Sequence, residues 1–101
     1  MNITRTDEGN LVRLALEGRL DTVTSSRLTQ ELDGVFEQGP QGLIFDFSRL
    51  EYISSAGLRV LLNAQKKVNA AGSDMRIVGA SETVREIFDI TGFSDIMSIS
   101  G

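Results

Sequence analysis

The first part of the chain alternates between apolar and polar residues. Every second residue from Val12 to Leu16 is apolar within the segment Leu11–Glu17, a pattern typical of a strand with one buried face. Residues Ile3–Thr6 are a candidate edge strand, and the intervening Asp7–Asn10 has the residue types of a hairpin turn. Gly18 is expected to end the second strand. The chain is therefore predicted to begin with a β-hairpin.

Beyond Asp21 the apolar residues recur at the period of a helix. We predict a helix from about Ser25 to Glu37, with the threonines and serine around its start as candidate N-caps. Its apolar face consists of Leu28, Leu32, Val35 and Phe36. Residues Gly39–Gly42 break this helix. The short apolar run Leu43–Phe47 then predicts a central strand covered on both faces.

A second helix is predicted to follow Ser54–Gly57 and to stop at Ala70–Gly72. One face of it would carry Leu58, Leu61, Leu62, Gln65 and Val68. Residues Met75–Gly79 form the next predicted strand. A strand, a helix and a strand in sequence imply a right-handed parallel crossover.

The remaining residues predict one more helix and a short ending. Ser81 and Glu82 begin the third helix, and Gly92 closes it. The segment Ile96–Ile99 is expected to be either a short edge strand or a tail against the sheet. All segments belong to one α/β arrangement of sheet and helices.

Composition limits the classes of protein that the chain can represent. With 41% hydrophobic residues and one proline in 101 residues, we expect a single folded domain spanning residues 1–101. The apolar runs are shorter than a membrane span requires, and the N-terminal residues lack the blocks of a signal peptide. We therefore expect a cytoplasmic protein that makes no membrane contact.

The chain contains no histidine and no cysteine, which removes the usual catalytic base, thiol chemistry and the commonest zinc ligands. Its net charge of −4 gives no basic surface for nucleic acid. Neither a Walker loop nor a dinucleotide fingerprint is present. We therefore expect no enzymatic activity, no catalytic residue, no metal, no cofactor and no direct contact with nucleic acid.

Two serines stand where the loop after the central strand meets the second helix. Ser54 and Ser55 lie beside the free N–H groups and the positive dipole end of that helix, where an anion such as a phosphoryl group is stabilised. Either serine could instead act only as an N-cap. An enzyme using Ser55 as nucleophile is disfavoured, because the histidine base and the Gly-x-Ser-x-Gly turn are absent.

The segment Tyr52–Leu58, with Asp46 six residues ahead of it, resembles the core motif of bacterial anti-anti-sigma factors. Gly18–Asp21 and Val84–Phe93 resemble two further segments of that family, so the resemblance covers nearly the whole chain. It implies the STAS fold, a mixed sheet of four to five strands with about three helices packed mainly on one face. Where the family often has an acidic residue before the phosphoacceptor, this chain has Ser54.

The resemblance implies a protein that is switched by phosphorylation. In the family, an anti-sigma factor that is a serine kinase of the GHKL type modifies a serine at this helix start, and a serine phosphatase reverses the modification. The spacing to Gly57 and Leu58 places the phosphoacceptor at Ser55, with Ser54 as the structural cap; modification of Ser54 stays open. The partner-binding residues would be Asp21, Asp46, Ser54, Ser55, Ala56, Gly57 and Leu58.

Three of these residues also have purely structural explanations. Asp21 could serve only to cap the first helix, and Asp46 only to accept hydrogen bonds from loop backbone. Gly57 either lets a partner approach the backbone closely or reflects tight packing within the domain.

The function implied is that of an anti-sigma factor antagonist. Unphosphorylated, it would bind the anti-sigma kinase and release a sigma factor for transcription. The alternative is a phosphorylation-switched module of the same fold that controls a secretion system, a phosphatase or a stress complex.

Overall fold

The first two strands form the predicted hairpin. In the computed structural model, which describes residues 1–96 and 98–100, β1 spans Asn2–Glu8 and β2 spans Leu11–Leu20. The two strands pair antiparallel, with Ile3 opposite Leu16. Alternate residues of β2 from Val12 to Leu16 are buried, as the pattern indicated.

Strand β2 runs two residues beyond Gly18, where it was expected to end. The register with the neighbouring strand shifts between Ala15 and Glu17 and again between Gly18 and Arg19. Gly18 has a φ of 107°, a conformation that glycine adopts at little cost. The glycine therefore marks an irregularity inside the strand, and β2 reaches Leu20.

Helix α1 spans Thr22–Glu37 and begins three residues before the predicted start at Ser25. The reason is its cap: Asp21 is the N-cap, and its side chain accepts a hydrogen bond from the N–H of Thr24. Ser25 is instead buried within the helix. The helix also buries Leu28, Leu32 and Val35, which belong to the predicted apolar face.

The central strand β3 spans Gly42–Ile53 and pairs in parallel with β2 on one side and β4 on the other. Its predicted central position is confirmed by the strand order β1-β2-β3-β4-β5. The expectation that both faces are covered is wrong. Phe45 and Phe47 are fully buried, whereas Ile44 and Asp46 point to the other side and are only half-buried. We call that side the open face of the sheet.

The second half of the chain follows the predicted order of elements. Helix α2 spans Ser55–Ala70, β4 spans Asp74–Val78 and α3 spans Glu82–Thr91, with Gly92 as its left-handed C-cap. A 3-10 turn at Phe93–Asp95 leads to β5, Ser98–Ser100, which pairs in parallel with β4. The short edge strand is therefore the correct alternative for the ending. Met97, which that expectation included, lies outside the described residues.

The hydrophobic core lies between the sheet and the helices, on one face of the sheet. The ring of Phe47 has its centroid 5.7 Å from that of Phe45 and 6.4 Å from that of Phe88 in α3, and all three rings are fully buried. These contacts hold α3 against the central strand. Among the helices of the described residues, none combines the length and the apolar character needed to cross a membrane.

Candidate partner-binding site

The carboxyl ends of β2 and β3 bring the starts of two helices together. Leu20 is paired with Ile53, and the N–H of Ser54 donates to the carbonyl of Leu20 at 2.8 Å. The residue after each paired strand end is a helix N-cap, Asp21 for α1 and Ser54 for α2. The two helix N-termini therefore begin side by side at the same end of the sheet.

Ser54 is the N-cap of α2. Its backbone is extended, and its hydroxyl oxygen accepts a hydrogen bond from the N–H of Gly57 at 3.2 Å. The side chain is half-buried. The hydroxyl of Ser54 thus satisfies one of the free donors at the helix start, which is the capping role that the sequence indicated for it.

Ser55 is the first residue of α2 and is exposed. In the part of the chain that the structure describes, its side chain takes part in no hydrogen bond with another side chain or with the backbone. The neighbouring N–H groups and the helix dipole favour negative charge at this position. A group attached to the Ser55 hydroxyl would therefore project into solvent beside an anion-favouring helix end.

The three residues after Ser55 turn progressively into the core. Ala56 is half-buried, whereas Gly57 and Leu58 are buried, Leu58 with 7% of its surface exposed. A β-carbon on Gly57 would lie 2.8 Å from Leu20 Cγ and 2.9 Å from Ile53 Cγ1. Packing within the domain therefore accounts for the glycine. Gly57 and Leu58 position the helix and offer little surface to a partner.

Asp21 combines the capping role with a place beside Ser54. Its carboxylate accepts from the N–H of Thr24 at 2.9 Å, with the Thr24 hydroxyl 3.0 Å from the same oxygen, and its own N–H donates to that hydroxyl at 2.9 Å. The bonds from Thr24 lower the pKa of Asp21, and the positive charge of Arg19 adds to the effect. The carboxylate is therefore ionised at neutral pH.

Asp46 is separated from these residues. It stands on the open face of β3, seven residues before Ile53, a separation on the order of 20 Å along an extended strand. Its carboxylate accepts from the hydroxyl of Ser48 at 2.7 Å and from the N–H of Ser48 at 3.0 Å, and these bonds lower its pKa. The structure thus gives Asp46 the local role that was its alternative explanation, and does not bring it to Ser55.

One further pair lies at the same end of the sheet. Arg19 is opposite Tyr52 in the β2–β3 ladder, and its guanidinium carbon lies 4.4 Å from the centroid of the tyrosine ring. The sequence pattern gave neither residue a role of its own. Their common face could have been predicted from their position one residue before Leu20 and Ile53, since alternation in strands directs neighbouring side chains to opposite faces.

The fold and the site together define a small α/β module in which Asp21, Ser54 and the exposed Ser55 lie where two helices start. The model of the STAS domain family matches residues 2–101. The protein therefore belongs to the STAS domain family, as its motif had indicated.

Its relatives place it among the anti-sigma factor antagonists of that family. BtrV of Bordetella bronchiseptica, which bears the name of an anti-sigma factor antagonist, is 30% identical over 100 residues, which are 99% of this chain and 86% of BtrV. The anti-sigma-B factor antagonist of Staphylococcus aureus is 25% identical over 100 residues, which are 99% of this chain and 93% of that protein.

Solved structures show the same fold. The anti-sigma factor antagonist SpoIIAA in its unphosphorylated form matches with a TM-score of 0.85 at 22% identity, over 99% of this chain and 89% of SpoIIAA. The phosphorylated form of SpoIIAA from Bacillus matches with a TM-score of 0.78 at 20% identity, over 99% and 92% of the two chains. The predicted fold class is therefore confirmed.

Proposed function

We propose that this protein is a phosphorylation-switched anti-sigma factor antagonist without catalytic activity of its own. In its unphosphorylated form it binds an anti-sigma factor that is also a serine kinase of the GHKL type, and so releases a sigma factor for transcription. Phosphorylation of Ser55 by that kinase ends the binding, and a serine phosphatase restores it.

The observation that carries this proposal is the contrast between the two serines. Ser54 uses its hydroxyl to cap α2, whereas Ser55, one residue on, is exposed at the same helix start. A kinase can reach only a hydroxyl that is presented to solvent. The exposure of Ser55 and the engagement of Ser54 both support Ser55 as the phosphoacceptor.

The relatives add independent support. Two of them bear the name of anti-sigma factor antagonists, and SpoIIAA, which shares the fold, has been solved both with and without phosphorylation. An antagonist of an anti-sigma factor acts by binding it. The partner that we propose follows from that name, and the switch from the chemistry of Ser55.

The switch is electrostatic. A phosphoserine carries about −1.5 to −2 charges at neutral pH. At Ser55 this charge would face the partner directly, next to the ionised Asp21. Desolvating such a group against a surface that had accepted a neutral hydroxyl is costly, and a loss of about 3 kcal/mol lowers affinity more than a hundredfold. Modest repulsion is therefore enough to release the partner.

Kinase labelling tests the proposal. The protein is incubated with ATP and the purified anti-sigma serine kinase encoded with it, and the modified peptide is identified by mass spectrometry. We expect one phosphate on Ser55, no labelling of Ser55→Ala and most of the labelling retained in Ser54→Ala. Labelling that persists in Ser55→Ala would assign the switch to another residue.

Binding to the same kinase completes the test. Ser55→Ala should bind about as tightly as the unmodified protein, because alanine is small and neutral. The phosphorylated protein and Ser55→Asp should bind more weakly. Equal affinity of the phosphorylated and unphosphorylated forms would contradict the proposed function.

A further inference from the structure

Three residues near the two helix starts have no part in the proposed switch: Arg19 and Val23, which are exposed, and Tyr52, which is half-buried. Arg19 and Tyr52 lie three residues or less from the helix starts, on the side of the β2–β3 ladder opposite the buried Leu20 and Ile53. Val23 lies in the first turn of α1 with 76% of its surface exposed. We call Arg19, Val23, Tyr52 and Ser55 the docking patch.

The composition of the docking patch is that of an interface centre. Arginine and tyrosine are enriched among the residues that carry most of the binding energy at interfaces. Arg19 is paired with Tyr52, and Tyr52 precedes Ser55 by three residues, a separation on the order of 10 Å along an extended chain. An interface of standard size, about 800 Å² per partner, is large enough to include both Arg19 and Ser55.

The charge of Arg19 is available to a partner. Among the residues that the structure describes, no carboxylate lies within 4.0 Å of its guanidinium, while Arg5, Arg13 and Arg49 each have such a contact. The guanidinium rests instead over the ring of Tyr52, which fixes its position and leaves its N–H groups to bind an acceptor. Stacking of this kind reduces the conformational freedom that is lost on binding.

We propose that Arg19, held over Tyr52, binds an acidic side chain of the partner protein and thereby selects a partner with an acidic group at this point of its contact surface. This inference rests on the proposed function, because the partner is the anti-sigma kinase that Ser55 contacts. It adds the charge of the partner's group at this point and the residue that recognises it.

An acidic group of the partner opposite Arg19 also gives the switch its direction. The phosphate on Ser55 would have the same sign as the partner's acidic group and would repel it. At the same time the phosphate would compete with the partner for the positive charge of Arg19. That charge already acts on a neighbouring carboxylate: after the hydrogen bonds from Thr24, it also lowers the pKa of Asp21. Both effects weaken the complex.

The test is a matched pair of charge reversals in the full chain. Arg19→Glu reverses the charge of the docking patch, and Arg76→Glu makes the same change at an exposed strand residue opposite Ile44, eight residues along β3 from Tyr52. Affinity for the purified kinase is measured by calorimetry at low and high salt, with the thermal midpoint recorded for each variant.

We expect Arg19→Glu to bind at least tenfold more weakly and Arg76→Glu to stay within twofold of the unmodified protein. Arg19→Lys should bind more tightly than Arg19→Glu but more weakly than the unmodified protein, since it retains the charge and loses the planar group that stacks on Tyr52. Binding of the unmodified protein should weaken with salt more steeply than that of Arg19→Ala. These results, with unchanged thermal midpoints, would support recognition of an acidic group.

The two proposals fail differently. If Arg19→Glu binds like Arg76→Glu while Ser55→Asp still binds weakly, the role of Arg19 is overturned and the switch at Ser55 stands. If the unmodified protein neither binds the kinase nor is phosphorylated by it, the proposed function is overturned and the role of Arg19 with it.

Discussion

Gly57 and Leu20 are in such close contact that a β-carbon at position 57 would lie 2.8 Å from both Cγ and Cδ2 of Leu20. Leu20 is fully buried at the end of β2, and Gly57 is in the first turn of α2. The start of the second helix is therefore seated directly on the end of the second strand.

Gly57→Ala should destabilise the protein. The added methyl group must displace a fully buried leucine or lift the helix start, and overpacking of this kind costs about 1 to 3 kcal/mol in the free energy of unfolding. Gly34→Ala is the matched control, because position 34 lies in α1 with nothing within 4 Å of an added β-carbon. That variant should gain about 0.5 to 1 kcal/mol from helix propensity. Denaturant titration of both variants measures their free energies of unfolding. Equal changes in the two variants would contradict the close packing of Gly57.

Ser54→Ala and Ser55→Ala should differ in stability although they are neighbours. Ser54 loses the hydrogen bond from the N–H of Gly57, and loss of an N-cap costs about 0.5 to 2 kcal/mol. Ser55 is exposed and makes no such bond within the described residues, so its replacement should change stability by less than about 0.5 kcal/mol. Thermal unfolding of the two variants measures this; a larger loss in Ser55→Ala would show that the cap is assigned to the wrong serine.

A negative charge at position 55 should not unfold the protein. Because the helix start favours an anion, Ser55→Asp and the phosphorylated protein should have unchanged or higher stability, by up to about 1 kcal/mol at low salt. Ser55→Lys is the matched control and should be slightly less stable. The difference between the two variants should shrink in concentrated salt, because exposed charges are screened. Loss of kinase binding through unfolding of Ser55→Asp would contradict an electrostatic switch.

The reciprocal hydrogen bonds between Asp21 and Thr24 make the stability of the protein depend on pH. The hydrogen bonds from Thr24, together with the charge of Arg19, hold the pKa of Asp21 below its usual value of 3.8 in the folded state. A carboxyl whose pKa is lowered by folding stabilises the protein above its unfolded pKa, and this contribution is lost as the pH falls through the folded value. Stability from Asp21 should therefore be present at neutral pH and decline below about pH 4.

Asp21→Asn isolates that titration, because asparagine caps helices about as well as aspartate but carries no charge. The variant should lose less stability on acidification than the unmodified protein, as followed by denaturant unfolding at a series of pH values. Parallel stability curves for the two proteins would show that Asp21 does not titrate differently on folding.

The sequence predicts the helices that have clear ends more accurately than the strands. Helix α2 ends where it was predicted to end, and it begins at Ser55, inside the segment expected to precede it, because Ser54 caps it. Helix α3 has the predicted bounds because Ser81 caps it and Gly92 ends it. The start of α1 was placed too late because Ser25 has the residue type of a cap. The signal for the earlier start was Asp21 three residues before Thr24, since residues with this spacing can cap a helix reciprocally.

Strand β3 was predicted at less than half its length. Its second half contains Ser48, Arg49 and Glu51, all exposed, which resembles a loop when read without the partner strand. Pairing with β2 keeps this segment extended. The apolar run before it suggested two covered faces, but tertiary packing covers only one. In the site, Ser54 and Ser55 could be located from the sequence, whereas the separation of Asp46 and the pairing of Arg19 with Tyr52 depend on register.

The hydrogen bond from the N–H of Ser54 to the carbonyl of Leu20 continues the ladder between two strands directly into two helices. Asp21 and Ser55 are consequently fixed relative to each other before any partner arrives. Association then requires little ordering of this surface. The entropy lost on binding therefore comes mainly from the partner's side chains and from the loss of rigid-body freedom. The complex should form by rigid docking, with an association rate that is limited by diffusion and orientation.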